Sequence, residues 1–311
     1  MHRLSVIVPF LGDLRRLEDT LVSVLQHRPS GVEVIVPHSV PYNDPYHLAG
    51  EVRFVGAPKR STAVQCLALG IAASYAPVVH LLGCGAEASD GWIDTALAHF
   101  ERPDVASVSP LLSDRDRPEQ VLATGVAYYG SGQPTVLGAG ATRFTLPHDA
   151  TAIMGPTIRA GFYRKAAIDA LPGGLDPSLG DTLCAVDVAA TLKRVGWTAV
   201  YEPRSVVYDE AADAPGHAKH DGAFRRGLQE ERLFRRQLAG SLTRAARAAH
   251  TMSVLGAAIQ IAPWRGIAQL VGHLVGALES ADYARFHERL IQVESAVAEQ
   301  LARRPAPRRA A

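Results

Sequence analysis

Lys59 and Arg60 stand directly before Ser61-Thr62, where a helical pattern begins, so two cations and a helix N-terminus meet at one place. Both favour phosphate. Gly83 and Gly85 flank Cys84 at the end of an apolar run, and such glycines either let the backbone approach a ligand closely or serve a plain turn, the turn being the commoner use. His217, His220 and Asp221 have the chemistry of metal ligands, but in a Gly- and Pro-bounded loop the solvated reading outweighs a metal site. Arg225, Arg226, Arg232, Arg235 and Arg236 read as the solvated face of one helix. The three cysteines, Cys66, Cys84 and Cys184, form no CxxC pair, so neither a disulfide framework nor a cysteine-rich zinc site is indicated. No GxGxxG follows the first strand, and neither GxxxxGK[ST] nor GxSxG occurs, which argues against a dinucleotide enzyme, a P-loop protein and a serine hydrolase.

These residues sit at the ends of alternating elements. Residues 4–8, 32–36, 52–55, 78–82 and 105–108 are short apolar, β-branched runs that read as buried strands. Between the first two, Leu14, Leu17, Leu21, Val24 and Leu25 recur at helical spacing, with Asp13 placed as the cap. Val64, Leu67, Ile71 and Tyr75 make a second helical stripe, and Asp90 opens a third helix with Trp92, Ile93, Leu97 and Phe100. Such alternation predicts a mainly parallel sheet with helices on both faces. Residues 109–156 predict loops and short strands. Regular pattern returns with 157–163, a helix over 182–195 and strands at 198–201 and 206–208, after which only helices are expected. The domains expected are 1–212 and a helical extension over 213–311.

Of the 311 residues, 47% are hydrophobic and 20% charged, a folded, water-soluble composition. Charge is unevenly placed: residues 1–218 carry 17 Lys/Arg against 23 Asp/Glu, and residues 219–311 carry 15 against 8. The acidic front part is a poor partner for nucleic acid, whereas the basic tail suits anionic lipid, an acidic protein or the front domain itself. The uncharged run 248–264 holds 17 residues and includes Pro263, short of the roughly 20 a membrane span needs. Two helices packed on the domain are expected there, ahead of the alternative that one lies on a membrane surface. The opening apolar run is too short for a secretion signal, so the expectation is a cytoplasmic protein, with peripheral membrane or protein contact through the C-terminal helices as its added option.

The order of Leu4-Ser5-Val6-Ile7-Val8-Pro9, Glu33-Val34-Ile35-Val36, Val79-His80-Leu81-Leu82, Gly91-Trp92-Ile93, Gly173-Gly174-Leu175-Asp176, Gly196-Trp197 and Tyr201-Glu202-Pro203 resembles the family-2 glycosyltransferases, nucleotide-sugar transferases of glycosyltransferase-A fold. The likeness runs from about Arg3 to Ala212. It implies an α/β domain that binds a nucleotide-diphosphate sugar through Pro9, Phe10, His38, Ser39, Arg60, Gly83 and Gly85, and transfers the sugar to an acceptor the sequence does not name. The polar positions depart from the family. His38 and Ser39 replace the acids usual after the second strand, and Gly83-Cys84-Gly85 replaces the Asp-x-Asp whose carboxylates hold a divalent metal on the diphosphate. Glu87, and Asp209 in place of the histidine after the last strand, are the remaining oxygen ligands for Mg²⁺ or Mn²⁺. Asp187, nine residues before Gly196, falls where the family has its base, though an acid near a helix start needs no catalytic reason. The resemblance leaves two readings: a transferase with an altered nucleotide and metal site, or a non-catalytic descendant that binds or scaffolds.

Overall fold

The computed structural model describes residues 2–44, 46–129, 132–146, 153–211, 222–238 and 244–302. Four of the apolar runs become β1 (Leu4–Ile7), β2 (Val32–His38), β3 (Val52–Gly56) and β4 (Val78–Leu82), which pair in parallel in the order β3-β2-β1-β4. The crossovers are α1 (Leu14–His27) and α2 (Ala63–Ala73). Asp13 caps α1 by accepting the Arg16 N–H at 3.2 Å, and Thr62 with Gln65 forms a capping box on α2. β5 (Glu87–Ala88) and α3 (Trp92–Ala98) lead to β6 (Val105–Asp114), which runs well past the expected 105–108 and is buried throughout. The short strands expected next are β7 (Val121–Ala123), on the edge of β6, and the hairpin of β8 (Gly125–Tyr128) with β9 (Pro134–Leu137).

β10 (Ala160–Arg164) lies antiparallel between β4 and β6, so the sheet is mixed and the parallel run is interrupted. A short α4 (Lys165–Asp169) and α5 (Gly180–Arg194) follow, then β11 (Thr198–Asp209), parallel to β6. The two strands expected at 198–201 and 206–208 are this one strand, with a register shift between Glu202 and Val206 that absorbs Pro203 and Arg204. The complete order is β3-β2-β1-β4-β10-β6-β11-β5, with β7 on β6.

Alternation along each strand divides the core. Val6, Val8 and Val34 face Leu17, Leu21, Trp92 and Ile93 of α1 and α3; Ile7, Ile35 and Leu81 face Val64, Leu67, Val188 and Leu192 of α2 and α5. The C-terminal helices are α6 (Ala223–Leu238), α7 (Arg244–Ile259), α8 (Pro263–Leu278) and α9 (Ser280–Ala302). Leu233, Leu290 and Val297 join the core on the α2 and α5 side. His217, His220 and Asp221 lie outside the described residues.

Two expectations for this region change. Two of the α6 arginines are ties to other parts of the chain, since Arg232 binds Glu279 with two hydrogen bonds of 2.6 and 2.8 Å and Arg236 reaches Asp176 and Asp187, whereas Arg226 and Arg235 pair within α6 with Glu230 at 2.9 Å and Glu231 at 2.7 Å. A guanidinium on an apolar stem suits such a seam because its fork meets a carboxylate while the stem packs. The apolar side chains of α8 do not pack inward. α8 meets α6 through small residues; a Cβ on Gly276 would lie 3.0 Å from Glu231 Cβ, and one on Gly227 would lie 2.9 Å from the Gln269 carbonyl carbon. Close backbone approach turns the bulky face out, so Trp264, Ile267, Val271, Leu274 and Leu278 form an exposed stripe at spacings of three and four, with Trp264 and Leu278 72% and 74% exposed. Among the described residues no helix is long and apolar enough to cross a membrane.

Candidate functional site

The C-terminal ends of β1 and β2 meet first. Phe10 donates its N–H to the Pro37 carbonyl at 2.8 Å and accepts the Ser39 N–H at 3.1 Å, which brings Pro9, Phe10, His38 and Ser39 together. His38 Nδ1 lies 2.9 Å from the Val40 carbonyl, and Phe10 meets Tyr42 edge-on, which in turn stacks on Phe54 at 4.6 Å. Arg60 stands exposed in a left-handed turn, φ 64°, one turn before the capping box of α2.

The end of β4 has a different character. Antiparallel β10 begins where β4 stops, so Arg159 lies beside Gly83 and accepts its N–H through the backbone at 2.8 Å. A Cβ at position 83 would fall 2.7 Å from Arg159 Cζ, and a Cβ at position 85 would fall 2.8 Å from Arg16 Cζ. Both glycines are therefore spaces filled by guanidinium groups. Gly85 also holds φ +94°, a left-handed conformation, with its N–H on Thr20 Oγ1 at 2.8 Å and its carbonyl accepting from Arg115. Arg159 adds a 3.3 Å hydrogen bond to the Cys84 carbonyl. Three arginines from α1, the end of β6 and the start of β10 thus converge where β4 ends.

Their counter-charges are the expected metal ligands. Asp209, fully buried, receives Arg159 Nε and Nη2 on its two oxygens, each at 2.6 Å. Glu87 Oε1 lies 3.1 Å from Arg115 Nε, and Glu210 3.6 Å from Arg115 Nη1. Burial works against the charge of Arg159, but the hydrogen bonds and charge of Asp209 hold it above its ordinary range. Burial pushes the Cys84 thiol up to about 11, against the opposing pull of Arg16 and Arg159, so it is a neutral thiol.

Asp187 belongs to another place. It is 2% exposed in the seam of α5 and α6, with Oδ2 2.8 Å from Arg236 Nη2 and Oδ1 accepting from Gln237 Nε2 at 2.6 Å. Burial raises its pKa while Arg236 and Gln237 lower it. The acid of α5 on the arginine side is Asp181, exposed in the first turn and close enough for its charge to help hold Arg159 protonated. The sequence alone offers no motif for Arg16, Arg115, Arg159 or Asp181; the one visible signal is the Gly83 and Gly85 pair after the β4 run.

A mixed sheet in which Arg159 links the end of β4 to Asp209 at the end of β11 has a glycosyltransferase-A-like fold, and solved structures support this. The chain is similar to GalNAc-T7 crystallised with UDP, GalNAc and Mn²⁺ (TM-score 0.57, 14% identity, covering 76% of this chain and 48% of that one). It is also similar to the mannosyltransferase PcManGT from Pyrobaculum calidifontis in complex with GDP-Man and Mn²⁺ (TM-score 0.52, 15% identity, 97% and 88% covered), and to residues 1–349 of S. aureus TarS (TM-score 0.56, 12% identity, 99% and 93% covered). The chain spans about half the length of GalNAc-T7. No family model and no curated protein matches it by sequence.

The donor set at the β4 end does not fit the divalent ion that such folds suggest. Gly83 and Gly85 supply no side-chain oxygen, and Asp209 and Glu87 already hold guanidinium groups. A cation seated on carboxylates at this position is present as side chains.

Proposed function

We propose that the protein is a family-2-like glycosyltransferase whose nucleotide-diphosphate donor is met by Arg16, Arg115 and Arg159 in place of a metal bridge. The observation that carries this reading is the clearance of positions 83 and 85 for two guanidinium groups. Guanidinium forks match phosphate oxygens and need no bound ion to do so. In this reading the base and sugar lie along the ends of β1 and β2, where Phe10, His38 and Ser39 come together, and Arg60 lies at the rim. The three arginines hold the diphosphate and balance the charge that develops on it as the sugar leaves. Asp181, at the exposed start of α5, is the carboxylate placed to take the proton of the acceptor hydroxyl, a role a sealed Asp187 cannot fill without α6 moving.

The test is calorimetry with UDP and GDP in EDTA and again with Mn²⁺. Binding in EDTA that Mn²⁺ leaves unchanged and that Arg115→Ala weakens supports the reading; binding that requires Mn²⁺ refutes it. The enclosure of Asp187 favours a second reading, a donor-binding protein without transfer. Donor hydrolysis separates the two: turnover abolished by Asp181→Asn supports the enzyme, and nucleotide binding without turnover supports the binding protein.

The site of action in this reading is an anionic membrane surface. Covering a large apolar side chain is worth about 1.5–3 kcal/mol, and the α8 stripe, with Met252 and Ile259 of α7, leaves several uncovered. Arg265, next to Trp264 at the start of α8, and the excess of 15 Lys/Arg over 8 Asp/Glu in residues 219–311 suit anionic headgroups. Flotation with phosphatidylglycerol vesicles is the check: wild-type protein floats, Trp264→Glu/Leu274→Glu does not, and a wild type that forms a stable dimer without floating assigns the stripe to a second copy.

A further inference from the structure

α6, α7 and α8 bring three ligand-type side chains to one buried point that the donor site does not use. Glu231 Oε2 lies 3.2 Å from His250 Nε2 and 3.2 Å from His273 Nδ1. The ligand atoms of the three residues all lie within 4.8 Å of one another, and each residue is at most 7% exposed. The ordinary explanation is a carboxylate accepting two imidazole hydrogen bonds. Both separations, at 3.2 Å, are long for a charge-assisted pair and also suit a shared ion. Elsewhere in this protein a histidine paired with a carboxylate, His99 with Glu202, closes to 2.7 Å, the usual charge-assisted length. Ligand atoms on a tetrahedral ion with bonds of about 2.0–2.1 Å stand about 3.3 Å apart, close to both distances here.

The surroundings resemble the outer shell of a metal site. Glu231 Oε1, the oxygen turned away, accepts Arg235 Nε at 2.7 Å. The other nitrogen of His273 faces Glu230 Oε2 at 3.5 Å, and that oxygen also accepts from Gln269 Nε2 at 3.2 Å. A carboxylate behind a metal-bound imidazole fixes its orientation and raises its basicity. His250 stacks on Phe234 and lies over Gly132, where a Cβ would come within 2.7 Å of its Nδ1, so the ring is held with Nε2 pointing at Glu231. The Tyr128 hydroxyl, also buried, has no hydrogen-bond partner among the described residues and feels the charges of Asp187, Glu231 and Glu230. The buried Glu231 and the half-buried Glu230 put two carboxylates around the imidazoles, while Arg226 and Arg235 lie at the more exposed rim.

We propose that Glu231 Oε2, His250 Nε2 and His273 Nδ1 form a binding site for a divalent ion of the zinc class, which two imidazoles and one carboxylate favour over Mg²⁺ or Ca²⁺. Its effect is structural: one ion ties α7 and α8 to α6 and so fixes the helix pair that carries the exposed apolar stripe. The site is independent of the donor reading, since none of its ligands touches the arginine cluster at β4.

The experiment uses the full chain stripped with EDTA and dialysed, then titrated with Co²⁺ and Zn²⁺. One equivalent of Co²⁺ should give the visible bands of a tetrahedral centre, Zn²⁺ should displace it, and one equivalent of Zn²⁺ should raise the melting temperature. His250→Gln and His273→Gln should each abolish the bands and the shift. Absence of a tetrahedral Co²⁺ spectrum in wild type, or its persistence in folded His273→Gln protein, overturns the proposal. If the variants fail to fold, the wild-type spectrum and stoichiometry decide: an octahedral spectrum or less than one ion per chain overturns it equally.

Discussion

The pair of Arg159 and Asp209 decides between a guanidinium and an ion at the end of β4. Asp209 is fully buried and both its oxygens are bound by Arg159 at 2.6 Å. Arg159→Met leaves that carboxylate buried without its cation, a change that costs about 3–5 kcal/mol. Asp209→Asn leaves Arg159 with a fifth of its side chain exposed to water and should cost about 1–3 kcal/mol. In the double variant neither charge is stranded, so its loss should fall short of the sum of the singles by about 2 kcal/mol or more, within the range measured for contacting residues. Urea unfolding of the four proteins gives the cycle, and repeating it with Mn²⁺ gives the decisive arm. Guanidinium replacement predicts that Mn²⁺ leaves Arg159→Met as unstable as before. Additive losses would mean that the two groups do not stabilise each other, and rescue of Arg159→Met by Mn²⁺ would mean that Asp209 is an ion ligand; either result refutes the reasoning.

Three further outcomes follow from the same geometry. Gly85→Ala should cost about 1–2 kcal/mol for its left-handed backbone and displace Arg16, lowering nucleotide affinity in calorimetry; unchanged affinity would separate Arg16 from the donor. Burial opposes the charge of Glu202, but hydrogen bonds from Arg204 and His99 outweigh it and hold its pKa near 2. Its stabilisation is therefore complete above about 4.5 and lost as pH falls toward 2, so Glu202→Gln should be destabilised at pH 7 and match wild type in acid unfolding near pH 2. His80, buried against Phe162, is pushed down by burial to about 3, so stability it permits at neutral pH falls between pH 6.5 and 3; His80→Gln should flatten that part of the stability curve, and an unchanged slope would exclude His80 as its source.

The alternation of strands and helices was legible because each element carries its own signal: Val6 and Ile7 point to opposite faces, Leu17 and Leu21 lie one helical turn apart, and Asp13 caps α1 as its position implies. Strand direction is not a local property. Residues 157–163 read as a strand, but nothing in them says that β10 runs against β4, and that direction is what sets Arg159 beside Gly83. Arg16, Arg115 and Arg159 are distant in sequence and join only through the fold. The same limit applies to α8, whose apolar residues imply burial until the glycines on its opposite face are seen to take the packing side. Asp187 shows the converse: a count from Gly196 finds the position, but not that α6 covers it with Arg236 and Gln237.

If acids at positions 83 and 85 were all that an ion site here required, placing them there should create one; if the arginines hold the ion's place, it should not. In Gly83→Asp/Gly85→Asp the new side chains would start within 2.7 and 2.8 Å of Arg159 Cζ and Arg16 Cζ. Each carboxylate would meet a guanidinium before it could meet Mn²⁺, and the positive φ at 85 would strain the backbone as well. The expected protein binds UDP or GDP more weakly than wild type, because the arginines are now neutralised, and gains nothing from Mn²⁺. Adding Arg159→Ala and Arg16→Ala to the two acids should reverse the sign, giving affinity that appears only with Mn²⁺. Mn²⁺-dependent binding in the first variant, with the arginines still in place, would show that the cluster and the ion are compatible and would remove the reason for reading the glycines as room made for arginine.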